Sequence, residues 1–185
     1  MLAGPIKGIC FFHETKEMQR KIIVIGDGGN GGCHALPQRL SGTAAGEISG
    51  SSAPLLSFAN TAAPDQKVKT KFYSGGESGE IFMHEGAPFS GQGQVLERLQ
   101  GEYINAMVVS DDLNRLFVGT SGKKILVFNT ETQEKVCEVA NAHGKTIYGM
   151  KVAPASAEET IMTCSSDNTI KGWKFDTESN TLTET

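Results

Sequence analysis

The chain has 185 residues, a formal net charge of −4, 38% hydrophobic and 21% charged residues. That is enough apolar material for a sizeable core, and the balance is that of a globular chain rather than a disordered one. There is no basic surplus to neutralise phosphates, which argues against nucleic-acid binding, and no segment reaches the ~20 apolar residues of a membrane-spanning helix.

Glycine is abundant, at 22 residues, and clusters in short turns. The four cysteines, Cys10, Cys33, Cys137 and Cys164, form no CxxC pair and read as reduced thiols. The N-terminus has no long apolar leader segment, so a cytoplasmic chain is expected.

Four copies of one strand-and-turn layout follow each other along the chain. In the first, Pro5 to Phe12 and Lys21 to Ile25 are predicted strands, then comes a loose glycine loop, then a strand at Ala45 to Ile48. The second starts at Leu55, with Lys71 to Tyr73, a Gly75-to-Gly79 turn, and Glu80 to Met83. The third has Ile104 to Val109, a loop at Asp111 to Asn114, and Leu116 to Val118. It then turns at Ser121-Gly122, returns along Lys124 to Phe128 and ends near Val136 to Val139. In the fourth, Ile147 to Val152 alternates apolar and polar, and Ile161 to Cys164 follows a loop with Pro154. Ser165 to Asn168 is turn chemistry, Thr169 to Phe175 a third strand, and Thr181 to Thr183 the start of a fourth.

Phe128 lies 45 residues before Trp173, and Met83 another 45 before Phe128. A period of ~40–45 residues is that of a four-stranded propeller blade. A β-sandwich would also show many short strands but not the same loop chemistry in register. No long helical pattern interrupts the strands, which excludes a doubly wound α/β fold. The expected fold is all-β, an open propeller segment of about four four-stranded blades, with approximate blades 1–50, 51–100, 101–141 and 142–185.

Three candidate sites have simpler explanations. Gly26 to Gly32 suggests a phosphate loop but lacks the Lys-Ser/Thr pair and a helix start, so it reads as a hairpin between strands. Cys10, His13, Cys33 and His34 suggest zinc, yet adjacent residues of a strand point to opposite faces. His143 and Asp167, with Thr163 nearby, suggest acid–base chemistry, but neither a Gly-x-Ser-x-Gly elbow nor a paired-carboxylate motif accompanies them. His84, beside Glu85 after a strand, reads as a surface histidine. No cofactor, no metal and no catalytic residue is expected.

At His143, Thr163, Asp167 and Trp173 the last copy resembles the WD-repeat family. There, a histidine before the first strand, a Ser/Thr on the second, an Asp in the turn and a Trp on the third form a hydrogen-bonded structural set. The resemblance implies that role for these four residues. The other copies depart from it. Phe128 replaces the Trp and Gly122 the Asp in the third copy, and Met83 and Glu77 stand there in the second. These blades are expected to rely on packing without the polar set.

Glu85-Gly86-Ala87-Pro88-Phe89 resembles a Glu-Gly-Pro-Pro-Phe stretch of the actin-interacting protein 1 family of propeller proteins. Leu2 to Ile6, Gly46 to Gly50, Thr132 to Cys137, Ala142-His143 and Ile147-Tyr148 match that family in order. The resemblance implies a non-enzymatic interaction module of the cytoplasmic actin cytoskeleton, binding actin filaments and cofilin and promoting filament disassembly. The alternative is a generic WD-repeat scaffold of another intracellular complex. No contact residue follows from the sequence. The family has two seven-bladed propellers, of which this chain would supply about four blades, so open blade faces are expected to favour self-association.

Overall fold

A computed structural model describes residues 6–13, 20–26, 31–35, 46–49, 53, 55–60, 71–85, 91–153 and 160–185. Side chains are described in 53, 55–59, 71–85, 93–153 and 160–185. Among these residues every regular element is a β-strand. The chain divides into two compact units, Met1–Gly101 and Glu102–Thr185.

The first unit holds two sheets. One has the order β1-β2-β3-β4-β8, from Ile6–His13, Arg20–Gly26, Gly31–Ala35, Gly46–Ser49 and Gly91–Gln92. The other has the order β5-β6-β7-β9, from Leu55–Asn60, Lys71–Gly76, Glu80–Glu85 and Gln94–Arg98. The first sheet therefore has five strands rather than the expected four. The connection from β7 to β9 leaves its own sheet long enough for β8 to pair in parallel with β4, Ile48 opposite Gly91 and Ser49 opposite Gln92. The glycine-rich stretch splits across a reversal: Gly26 ends β2, Gly31 opens β3, and the two pair antiparallel. Residues 27–30, and the side chains of Cys10, His13, Cys33 and His34, lie outside the described residues, as do 86–89.

The second unit holds two four-stranded antiparallel sheets. One runs β10 (Ile104–Val109), β11 (Arg115–Thr120), β12 (Ile125–Asn129), β13 (Lys135–Val139); the other runs β14 (Ile147–Val152), β15 (Thr160–Ser165), β16 (Ile170–Asp176), β17 (Thr181–Glu184). The apolar residues of the two facing surfaces build one core: Ala106, Phe117, Ile125 and Val127 against Ile147, Ile161, Trp173 and Leu182. Each such side chain contributes about 1.5–3 kcal/mol when fully buried. Gly119 allows the sheets to approach, because a Cβ there would lie 2.8 Å from Cγ2 of Ile147. Phe117 meets Phe175 edge-on at 6.0 Å, and the Arg115 guanidinium lies 5.5 Å from the Phe175 ring centre.

The strand sequences follow their surroundings. Leu116 to Thr120 and Ile125 to Phe128 are buried without a break. In β15, Ile161 and Thr163 are buried while Met162 and Cys164 are not, so that strand alternates. The second-to-third-strand turns of three sheets share one form. Gly79, Lys123 and Asn168 take positive φ of 73°, 67° and 68°. Each donates its N–H to the carbonyl three residues back: Gly76 at 3.1 Å, Thr120 at 3.4 Å and Ser165 at 3.2 Å.

Candidate functional site

The turn 165–169, the strand β15 and the loop before β14 bring four polar side chains together over Trp173. The indole N–H of Trp173 donates to Thr163 Oγ1 at 2.9 Å. Thr163 Oγ1 is 2.7 Å from His143 Nε2, and His143 Nδ1 is 3.1 Å from Asp167 Oδ2. An indole N–H only donates and a carboxylate only accepts, so Thr163 Oγ1 accepts from Trp173 and Nδ1 of His143 carries the proton shared with Asp167, while Nε2 meets Thr163 Oγ1. His143 and Thr163 are buried, as is Trp173.

Asp167 closes the arrangement. It accepts from the Thr169 hydroxyl at 2.6 Å, the Gly144 N–H at 2.7 Å and the Thr169 N–H at 2.9 Å. The Thr169 hydroxyl, then these amides and His143, hold its carboxyl well below the usual carboxylate range, against the opposing effect of desolvation. Thr169 also lies 3.0 Å from His143 Nδ1, a fifth member that the sequence alone did not single out.

Backbone register finds the counterparts of these residues in the other sheets. Ile161 pairs with Trp173, Leu116 with Phe128, and Phe72 with His84, the second member of each pair five residues after the positive-φ turn residue. His84, not Met83, therefore holds the tryptophan's position in the second sheet, and Ser74 that of Thr163. In the turn, Ser78 and not Glu77 corresponds to Asp167. The expected surface histidine is buried, at 5% exposure. Its Nε2 lies 3.3 Å from Ser74 Oγ, as Trp173 lies against Thr163. Ser78 Oγ accepts the Glu80 N–H at 3.4 Å, as Asp167 accepts that of Thr169. The His84 ring sits between Phe72 and Phe82, at 6.0 and 6.3 Å, and burial lowers its pKa to about 4. Its Nδ1 has no hydrogen-bond partner among the described residues.

The third copy is wired differently. Val118 and Phe128 replace the threonine and tryptophan, and Gly122 replaces the aspartate. A Cβ on Gly122 would run into the carboxylate of Glu102, which comes from the loop before β10. Glu102 accepts from the Thr120 hydroxyl at 2.9 Å and pairs with Lys124 Nζ at 2.7 Å. Glu102 raises the Lys124 pKa, mainly through that hydrogen bond. Both sheets thus lack the His–Thr–Asp–Trp set but hold other polar contacts in its place, Ser74–His84 in one and Glu102–Thr120–Lys124 in the other. The first was open to sequence reasoning, because Ser74 precedes His84 by the ten residues that separate Thr163 from Trp173. The second joins residues 18 apart and carries no motif.

Among the described residues no cluster of three or more His, Cys, Asp or Glu is placed to hold a metal ion. Cys137 and Cys164 are free thiols. No helix of the described residues is long and apolar enough to cross a membrane.

Four-stranded antiparallel sheets with a recurrent turn and a His–Thr–Asp–Trp set define a WD-repeat β-propeller segment. It is 28% identical over 185 residues to WD repeat-containing protein 1 of Bos taurus, an alignment covering 98% of this chain and 28% of that protein. WD repeat-containing protein 1 of Gallus gallus is 26% identical over 173 residues, 92% of this chain and 26% of the relative. The chain thus spans little more than a quarter of these relatives' length. No protein-family model matches it. Among solved structures, the RRP9 WD40 repeats superpose with a TM-score of 0.73 at 16% identity, over 99% of this chain and 52% of that one. A chain of a mitotic checkpoint complex superposes with a TM-score of 0.73 at 18% identity, over 95% and 52%.

Proposed function

We propose that the chain is a non-enzymatic interaction module that binds cofilin-bearing actin filaments and promotes their disassembly. The observation that carries this is the near end-to-end similarity to WD repeat-containing protein 1, which is actin-interacting protein 1. The local matches at Glu85 to Phe89 and Thr132 to Cys137 point to the same family.

The geometry supports a scaffold role for His143, Thr163, Asp167 and Trp173. Both nitrogens of His143 are engaged within the set, and the ring is buried, so it presents no basic atom to a substrate. A rigid sheet framework with exposed loops suits broad protein contacts. On this reading the chain acts in the cytoplasm at the actin cytoskeleton and needs no cofactor.

The test follows single labelled filaments by fluorescence microscopy, with cofilin alone and with cofilin plus this protein. Faster severing or shortening only when both are present supports the proposal. Cofilin-driven disassembly at an unchanged rate in the presence of this chain would sink it and favour a WD-repeat scaffold of another complex.

A further inference from the structure

Tyr103 and Tyr148 are two of the three large hydrophobic residues that stand exposed among the described residues, at 47% and 63%. Both lie at one end of the second unit, where β10 and β14 begin. Hydrogen bonds between neighbouring loops brace that end. Tyr103 and Ser121 exchange two bonds, Tyr103 N–H to Ser121 Oγ at 2.8 Å and Ser121 N–H to the Tyr103 carbonyl at 2.9 Å. The Lys123 carbonyl accepts the Ala142 N–H at 2.8 Å, and the Thr146 carbonyl accepts the Ser166 N–H at 3.0 Å. Tyr148 sits at a register shift between Ile147 and Gly149, the kind of bulge that re-aims a side chain out of the ladder.

The charge at this end is one-sided. Its carboxylates are engaged within the fold: Glu102 with Lys124 and Thr120, Asp167 with Thr169, Gly144 and His143. Lys123 and Lys145 are exposed and have no ion-pair partner among the described residues. Lys123 projects from a left-handed turn position, φ 67°, that glycine and asparagine fill in the other sheets. Two tyrosines, rigid aromatic anchors with polar tips, thus lie among unpaired cations on a braced backbone.

We propose that this rim, built by Tyr103, Lys123, Lys145 and Tyr148, docks an acidic peptide segment that carries an apolar anchor side chain. The proposal rests on the chain being an interaction module and deepens it by naming the surface and the partner's chemistry. Complementary charge would speed encounter, and the tyrosines would hold the anchor.

The probe is a fluorescein-labelled twelve-residue peptide of Asp and Glu with two Phe, titrated by anisotropy against the full chain at two salt concentrations. Binding that weakens with salt, falls at least ten-fold in Lys123→Glu/Lys145→Glu and in Tyr103→Ser/Tyr148→Ser, and falls when Phe is replaced by Ser, supports the surface. Unchanged Trp173 emission and thermal transition show that the variants fold; where a pair does not, the single variants Lys145→Glu and Tyr148→Ser are used. No wild-type binding, variants within two-fold of wild type, or equal binding of the Phe-less peptide overturns it. Filament pelleting run on the same variants separates the two ideas: a wild-type chain that binds peptide but not filaments removes only the actin partner.

Discussion

Glu102 places its carboxylate in the space that a side chain on Gly122 would fill. In the next sheet the carboxylate belongs to the turn, as Asp167, and reaches down to His143 and Gly144. In this one it belongs to the loop below and reaches up to Thr120 and Lys124. The two solutions fasten the same turn from opposite sides, and they exclude each other.

Gly122→Asp is therefore expected to destabilise the protein although it restores the family residue. The clash and the like charge should cost about 1–3 kcal/mol. In a Glu102→Ala background the same substitution should cost little or be stabilising. Urea denaturation of the two single variants and the double variant measures the coupling; additive effects would show that the carboxylates do not compete.

Thr163 is the joint between Trp173 and His143. Thr163→Val keeps the volume but leaves the buried indole N–H and His143 Nε2 without their shared partner, each at about 1–3 kcal/mol. A loss of about 2–4 kcal/mol is expected, read from urea curves followed by Trp173 emission. Thr163→Ser should lose far less, because it keeps the hydroxyl.

His84 makes stability pH-dependent. Its folded pKa of about 4 lies below the ordinary value of 6.5 because burial disfavours the charged ring. Between these values the unfolded chain binds a proton that the folded chain does not. The stability it contributes is therefore complete above about pH 6.5, declines as pH falls towards 4, and is level below that. The full span is worth on the order of 3 kcal/mol. His84→Phe, which adopts the ring found at Phe128, should flatten this part of a pH series of chemical denaturation. An identical slope in the variant would show that other groups carry it.

Gly93 packs on the edge of the same ring, where a Cβ would lie 2.5 Å from His84 Cε1. Gly93→Ala should cost about 1–3 kcal/mol through overpacking. His84→Ala/Gly93→Ala should cost less than the sum of the singles, and a thermal-denaturation cycle checks the coupling.

Ile170 is 72% exposed, whereas Ile125, its counterpart in register, is fully buried in the core of the second unit. We expect self-association through the β14–β17 face that carries it. Sedimentation velocity should show concentration-dependent association that Ile170→Glu reduces; a wild-type monomer throughout the range would contradict it.

Much of the fold was legible because blade strands announce themselves by alternation and by turn residues. Ser165 to Asn168 and the alternating Ile147 to Val152 needed no tertiary information. The Gly31–Ala35 strand was less legible, since its glycines and lone cysteine carry no strand propensity. The two-residue β8 had no local signal either, as its pairing partner β4 lies some forty residues earlier. Spacing misplaced Met83 by one position. A period counts connections as well as strands, whereas hydrogen-bond register alone decides which face a residue occupies, and one residue reverses it. Glu102 was invisible because its partners, Thr120 and Lys124, lie well along the chain and form no motif with it.

The most direct measurement of the proposed role is co-sedimentation of the full chain with actin filaments, bare and saturated with cofilin. The expected result is pelleting that rises with cofilin and reaches saturation. Equal recovery of the chain in the supernatant with and without cofilin-bearing filaments would contradict it.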